Sequence, residues 1–159
     1  MKLKAVPEPR GIEFLDEAQR ALPLVPGSEN DCCARLLDRT DLAARDDARE
    51  WITFLRALGL AAETDSGYRR LRRDPNREEL ATAFREGVFG ADTLLDGLPD
   101  DEPLDETEAF EGFRSHIPNW ERHRRPDWED HWRERVRRLL GWLVLFDLAE
   151  RVDDGYRVV

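Results

Sequence analysis

Residues 60–71 read LAAETDSGYRRL and residues 148–159 read LAERVDDGYRVV, one phrase written twice at an offset of 88 residues. Leu60 meets Leu148, Ala61 meets Ala149, Asp65 meets Asp153, and Gly67-Tyr68-Arg69 meets Gly155-Tyr156-Arg157. In the first copy two short extended runs flank Asp65-Ser66-Gly67, which is the composition of a β-hairpin turn. Gly67 and Gly155 suit a tip that needs positive φ. Tyr68 and Tyr156 can lay a ring on the core and keep the hydroxyl in water.

The segment before the first hairpin, AARDDAREWITFLRALGL, spaces Trp51, Phe54, Leu55 and Leu58 at i, i+3, i+4 and i+7, one face of a helix. The spacing predicts a helix from about Arg45 to Leu58, stopped by Gly59. A helix that runs straight into a hairpin is the second half of a winged helix. Upstream, SENDCCARLLDRT begins on an N-cap residue, Ser28, and turns Cys32, Leu36 and Leu37 inward. GIEFLDEAQRALPL is amphipathic through Ile12, Leu15, Ala18 and Leu22, and Pro23 and Pro26 end it.

The same order recurs later in longer form. REELATAFREGVFGADTLLDGL supplies one or two leading helices and LDETEAFEGFRSHI a short one. DWEDHWRERVRRLLGWLVLF supplies a long helix whose Trp128, Trp132, Val136, Leu139, Leu143 and Phe146 form a core face, and the second hairpin follows. The expected fold is mainly α with small β-hairpins, two tandem winged helix-turn-helix domains. The expected bounds are an N-terminal tail over 1–10, a first domain over 11–73 and a second over 74–159, joined at RRDPNRE.

The chain has 159 residues, 25 Lys/Arg against 35 Asp/Glu, and a net charge of −10. A polyanion is repelled by nucleic acid in dilute buffer. Lys2 and Lys4 are the only lysines, so 23 cations are arginines. Acidic surplus with almost no lysine resembles the proteome style of salt-loving archaea. In molar salt the screening length is about 3 Å, and net charge then reports solubility more than partner. The adjacent Cys32 and Cys33 match neither a metal nor a disulfide framework. With no 18-residue apolar run and no signal-type h-region, the expected location is the cytoplasm.

No catalytic signature is present, and neither a cofactor nor a metal is expected. His116, His123 and His131 lie near Asp127, Glu129 and Asp130, but RHRRPDWEDHW lacks HExxH-type spacing; solvated histidines beside salt-bridged arginines are the expectation. Double-stranded DNA is the partner expected for the first domain, because a winged helix commonly sets its third helix in the major groove and its hairpin along the backbone. Arg45, Arg49, Thr53 and Arg56 share the outer face of that helix, and Arg69 and Arg70 on the hairpin add phosphate contacts, with Arg72 and Arg73 following. Asp46, Asp47 and Glu50 stand beside the stripe, the pattern of an ordinary solvated face. Residues 1–74 hold 13 Lys/Arg against 14 Asp/Glu, and residues 75–159 hold 12 against 21, so the first domain is the better match for an anion.

A protein is the partner expected for the second domain. Nine acidic residues and no basic one lie between Asp92 and Glu111. In IPNWERHRRPDWEDHW, Trp120, Arg122, Arg124 and Arg125 are the residue types that dominate interface hot spots. A homodimer through Ile12, Phe14 and Leu15 is a further expectation.

The stretches MKLKAVPEP, VPGSENDCCARLLDRT, DDAREWITFLRALGLA and LAERVDDGYRVV resemble a small family of acidic haloarchaeal proteins with no assigned function. The resemblance covers nearly the whole chain, implies a haloarchaeal source and carries over no active site. Two functions follow: a DNA-binding transcriptional regulator or chromatin-associated protein, or a protein-interaction adaptor. The adaptor layout is similar to the tandem winged helices of kleisin-binding and ESCRT-II subunits.

Overall fold

Three amphipathic segments at the head of the chain fold as helices in the computed structural model, which describes residues 2–159. They are α1 (Ile12–Ala21), α2 (Glu29–Arg39) and α3 (Arg45–Ala57). The Ser28 hydroxyl caps α2, accepting the Asp31 amide at 3.1 Å, and Gly59 ends the α3 turn at φ +74°. The antiparallel hairpin of β1 (Ala61–Thr64) and β2 (Gly67–Arg70) follows, paired from Ala61↔Arg70 to Thr64↔Gly67. Thr64 secures its tip, its hydroxyl donating to the Gly67 carbonyl at 2.9 Å and accepting from the Ser66 amide at 3.1 Å.

The chain divides into two compact units, 1–89 and 90–159, so the division falls sixteen residues past the expected joint. The reason is α4 (Arg77–Gly87), started by a reciprocal Asn76/Glu79 cap. Its Phe84 meets Phe54 edge-on at 6.3 Å, in a core where Phe54 also meets Trp51 and Trp51 meets Phe14 at 4.8 Å. Residues 2–10 are not a free tail either. Leu3 forms a parallel bridge with Val88, donating to the Gly87 carbonyl and accepting from Phe89 at 2.8 Å each, and Val6 is buried. Phe14 and Leu15 are buried within this unit, which removes them from the expected homodimer face.

The second unit runs α5 (Ala91–Asp96), α6 (Glu106–Phe113), α7 (Asn119–Arg124), α8 (Trp128–Leu145), β3 (Ala149–Val152) and β4 (Gly155–Val158). Its core is the expected α8 face, Trp132, Val136, Leu139, Leu143 and Phe146, joined by Leu140 and Trp142. Trp128 departs from that face: it is half-buried, with Arg114 and Arg122 over its ring at 5.4 and 4.9 Å.

One relationship is common to both units. The residue before the N-cap of the second helix pairs with the hairpin tyrosine, Gly27 with Tyr68 and Leu104 with Tyr156, by two main-chain hydrogen bonds of 2.7 to 2.9 Å in each case. The partners lie 41 positions apart in the first unit and 52 in the second; the additional length holds α7 and the 3-10 turn Arg114–His116. The two glycines of the repeated phrase differ in role. Gly67 has φ +130°, whereas in the second hairpin the positive φ is carried by Asp153 at 55°. Gly155 answers instead to space, because a Cβ there would lie 2.6 Å from the Pro103 Cβ.

Candidate functional site

The outer face of α3 carries Arg45, Arg49, Thr53 and Arg56 together, but carboxylates interrupt the stripe. Packing of α2 on α3 brings Glu29, in the acidic first turn of α2, beside two of the arginines. Arg49 Nε donates to it at 2.7 Å, and Arg45 lies 3.9 Å away while also hydrogen-bonding Asn30. Arg49 is within 3.8 Å of Asp46 as well, and Arg56 is 3.4 Å from Glu63 of β1. Thr53 directs its hydroxyl to the Arg49 carbonyl at 3.4 Å. Glu29 and Glu63 lie on elements other than α3, 20 positions from Arg49 and 7 from Arg56, so the packing reveals the neutralisation. Beside Glu63, the Tyr68 hydroxyl is pushed up by burial and then by its hydrogen bond to that carboxylate.

Arginines without a carboxylate partner among the described residues gather around two hollows of the unit: Arg35 and Arg39 on α2, Arg70 on β2, and Arg72 and Arg73 after it. Arg20, Arg35, Arg39 and Arg70 surround a hollow of about 330 Å³ floored by Leu22, Pro23, Leu24 and Val25. A second hollow, about 310 Å³, shares Arg20 and Arg70 and adds Arg72 and Arg73. Its acids are Asp16, paired with Arg20 at 3.0 Å, and Asp74. Leu24 and Val25 are 39% and 76% exposed.

Strand geometry explains this placement. Successive side chains alternate faces, so Arg70 joins the α2 arginines while Arg69 points to the opposite side and lines neither hollow. Gln19, buried on α1, donates its amide to the carbonyls of Leu71 and Arg73 at 3.0 Å each, tying the run after β2 to α1. Sequence reasoning placed Arg72 and Arg73 but missed Arg35 and Arg39. Their i, i+4 spacing on one helix was the available signal.

In the second unit the expected Trp120 set separates into two groups. Trp120 is 51% exposed on α7 with Arg124 over its ring at 5.9 Å. Arg122 turns inward to Trp128 and donates to the Arg114 carbonyl, and Arg125 is half-buried. Arg114 bridges Glu111 and Glu129 at 2.9 and 3.1 Å, and those hydrogen bonds raise its pKa. His131 is pushed down by burial and then by Arg125 and Arg135.

Among the described residues no three His, Cys, Asp or Glu side chains cluster to hold a metal ion, and no helix is long and apolar enough to cross a membrane. Cys32 and Cys33 are buried free thiols, with pKa values raised chiefly by that burial.

The family model described as "Halobacterial double winged helix domain" matches residues 1–159. Neither a curated protein nor a solved structure matches the chain.

Proposed function

This chain belongs to the halobacterial double winged helix family, and on that footing we propose that its first unit binds duplex DNA, as a transcriptional regulator or chromatin-associated protein. The observation that carries the reading is the group of carboxylate-free arginines, Arg35, Arg39, Arg70, Arg72 and Arg73, gathered by α2, β2 and the run tied down by Gln19. A guanidinium without a carboxylate partner keeps its charge available to phosphate oxygens, although Arg70 and Arg73 also donate to the main-chain carbonyls of Arg20 and Gly59. The first unit holds 15 Lys/Arg against 17 Asp/Glu and the second 10 against 18, so repulsion of a polyanion is concentrated in the second. Arg45, Arg49, Thr53 and Arg56 serve as a secondary contact row whose arginines must exchange their carboxylates for phosphate. Arg69 reaches DNA from the opposite face of the wing.

Binding of a mixed-sequence duplex measured against potassium concentration tests this reading. Five phosphate contacts predict a log–log slope of about −4.5, and the R35A/R39A/R70A/R72A variant should flatten it and weaken binding by roughly 100-fold near 0.2 M salt. Equal binding by the folded variant and the wild type would refute the proposal.

A specific observation also favours a second reading, an adaptor that binds protein through the second unit. Trp120 is a half-exposed aromatic with an arginine over its ring, in the half of the chain least suited to DNA. Trp120→Ala with Arg124→Ala should leave the duplex affinity unchanged while releasing a co-purifying protein; retention of that protein argues against it.

A further inference from the structure

Between α5 and α6 of the second unit lies a cleft of about 360 Å³. We propose that it is a docking site for a segment of a partner protein carrying one bulky apolar side chain flanked by arginine or lysine. The site is separate from Trp120, and it does not depend on duplex binding by the first unit.

The cleft walls are mainly apolar, from Leu94, Leu98, Leu104, Ala109 and Phe113, with Thr93, Asp96 and His116 the polar side chains that line it. Its volume lies at the small end of ligand pockets, roughly 300 to 1,000 Å³, and suits a side chain or two. Gly112 keeps it open. It is the seventh residue of the eight in α6, where glycine is a poor helix former, yet a Cβ built on it meets nothing within 4 Å. The space above Gly112 is therefore vacant rather than demanded by tight packing, unlike that at Gly155.

The charge around the cleft selects the occupant. Asp96 lines it directly, and no lysine or arginine occurs between Asp92 and Glu111. The side-chain carboxylates of Asp96, Asp100, Glu102, Asp105, Glu106 and Glu108 are in no ion pair with arginine or lysine among the described residues, and Arg157 donates to the Asp101 main-chain carbonyl at 3.3 Å. Elsewhere in the unit Glu111, Glu129, Glu134 and Glu150 are each engaged by arginine. Asp105 and Glu108 cap α6 through main-chain amides, which fixes their positions and leaves their charge in place. Asp96 on an apolar floor, within a stretch that carries acids and no arginine or lysine from Asp92 to Glu111, favours a cationic segment with an apolar anchor and disfavours DNA and acidic peptides.

Methyl NMR on the full chain tests this with three short synthetic peptides: one tryptophan flanked by arginines, the same tryptophan flanked by glutamates, and the arginine peptide with alanine in place of tryptophan. The arginine–tryptophan peptide should saturably shift the methyls of Leu94, Leu98 and Leu104, and each counterpart should bind about tenfold or more weakly. Gly112→Trp should fill the cleft and abolish those shifts at unchanged thermal stability. D96K/E102K, which alters exposed positions only, should weaken the peptide about tenfold whatever Gly112→Trp does to folding. Equal binding of the glutamate peptide, undiminished binding by a folded Gly112→Trp, or no shift with any peptide would overturn the proposal. So would the same shifts on raising the concentration of the protein alone, which would make a second copy the occupant.

Discussion

Arg49 of α3 donates to Glu29 of α2 at 2.7 Å, and the same carboxylate stands 3.9 Å from Arg45. One acid at the start of a neighbouring helix thus holds two of the three arginines of the outer stripe. Glu29→Gln should raise duplex affinity severalfold at low salt by freeing both guanidiniums. Its effect on folding should stay within about 1 kcal/mol, the scale of a half-exposed ion pair and a first-turn charge. Fluorescence anisotropy with a labelled duplex measures the gain, and an unchanged affinity would remove the stripe from the interface.

Gln19 is the buried polar group that fixes the arginine run after β2. Gln19→Leu leaves the carbonyls of Leu71 and Arg73 without its donor, a loss of about 1–3 kcal/mol. Urea denaturation should show the lower midpoint. DNA binding by the remaining folded protein should fall as well, because Arg72 and Arg73 lose their anchor; a variant that binds as tightly as wild type would separate the anchor from the interface.

The glycines of the repeated phrase should respond differently from Gly112. Gly67→Ala places a side chain at φ +130° against the Gly27 main chain, a combination expected to destabilise by about 1–3 kcal/mol. Gly112→Ala, in open space on a helix, should stabilise by about 0.5–1 kcal/mol. Thermal denaturation of the two variants gives opposite signs if the local geometry is as described.

Acid should loosen the second unit through its arginine-held carboxylates. Hydrogen bonds from Arg137 and then Arg138 hold Glu134 down to about 2, and Arg114 lowers Glu111 in the same way. A carboxylate depressed in the folded state contributes stability above its unfolded value, about 4.3, and loses it as pH falls through the folded value. Unfolding midpoints should therefore drop between about pH 4.5 and 2, and Glu134→Gln should flatten that slope. Both side chains are about half-exposed, so molar potassium chloride should shrink the effect.

The periodic apolar residues made most of the fold legible. Trp51, Phe54, Leu55 and Leu58 announced α3, the Ser28 cap announced α2, and the repeated Leu-Ala and Gly-Tyr-Arg announced both wings, because these are local signals of helix face, helix start and turn. The division between the units falls past the expected joint because α4 carries a helical pattern that suits either neighbour, and its packing, Phe84 on Phe54 and Leu3 on Val88, places it in the first unit. α7 was missed because a six-residue helix following a proline has too little periodicity to read.

The candidate site was half legible for a related reason. Residue type and helical phase were enough to place Arg45, Arg49 and Arg56 on one face, and pleat alternation separates Arg69 from Arg70. Whether an arginine is available to an anion depends on which carboxylate lies within about 4 Å, and that neighbour comes from a different element: Glu29 for Arg49, Glu63 for Arg56. Secondary structure and duplication are written in short-range periodicity, so the chain's own order of residues discloses them. Charge compensation and the cleft beside Gly112 arise from packing between separate elements, and they became visible only once those elements were in place.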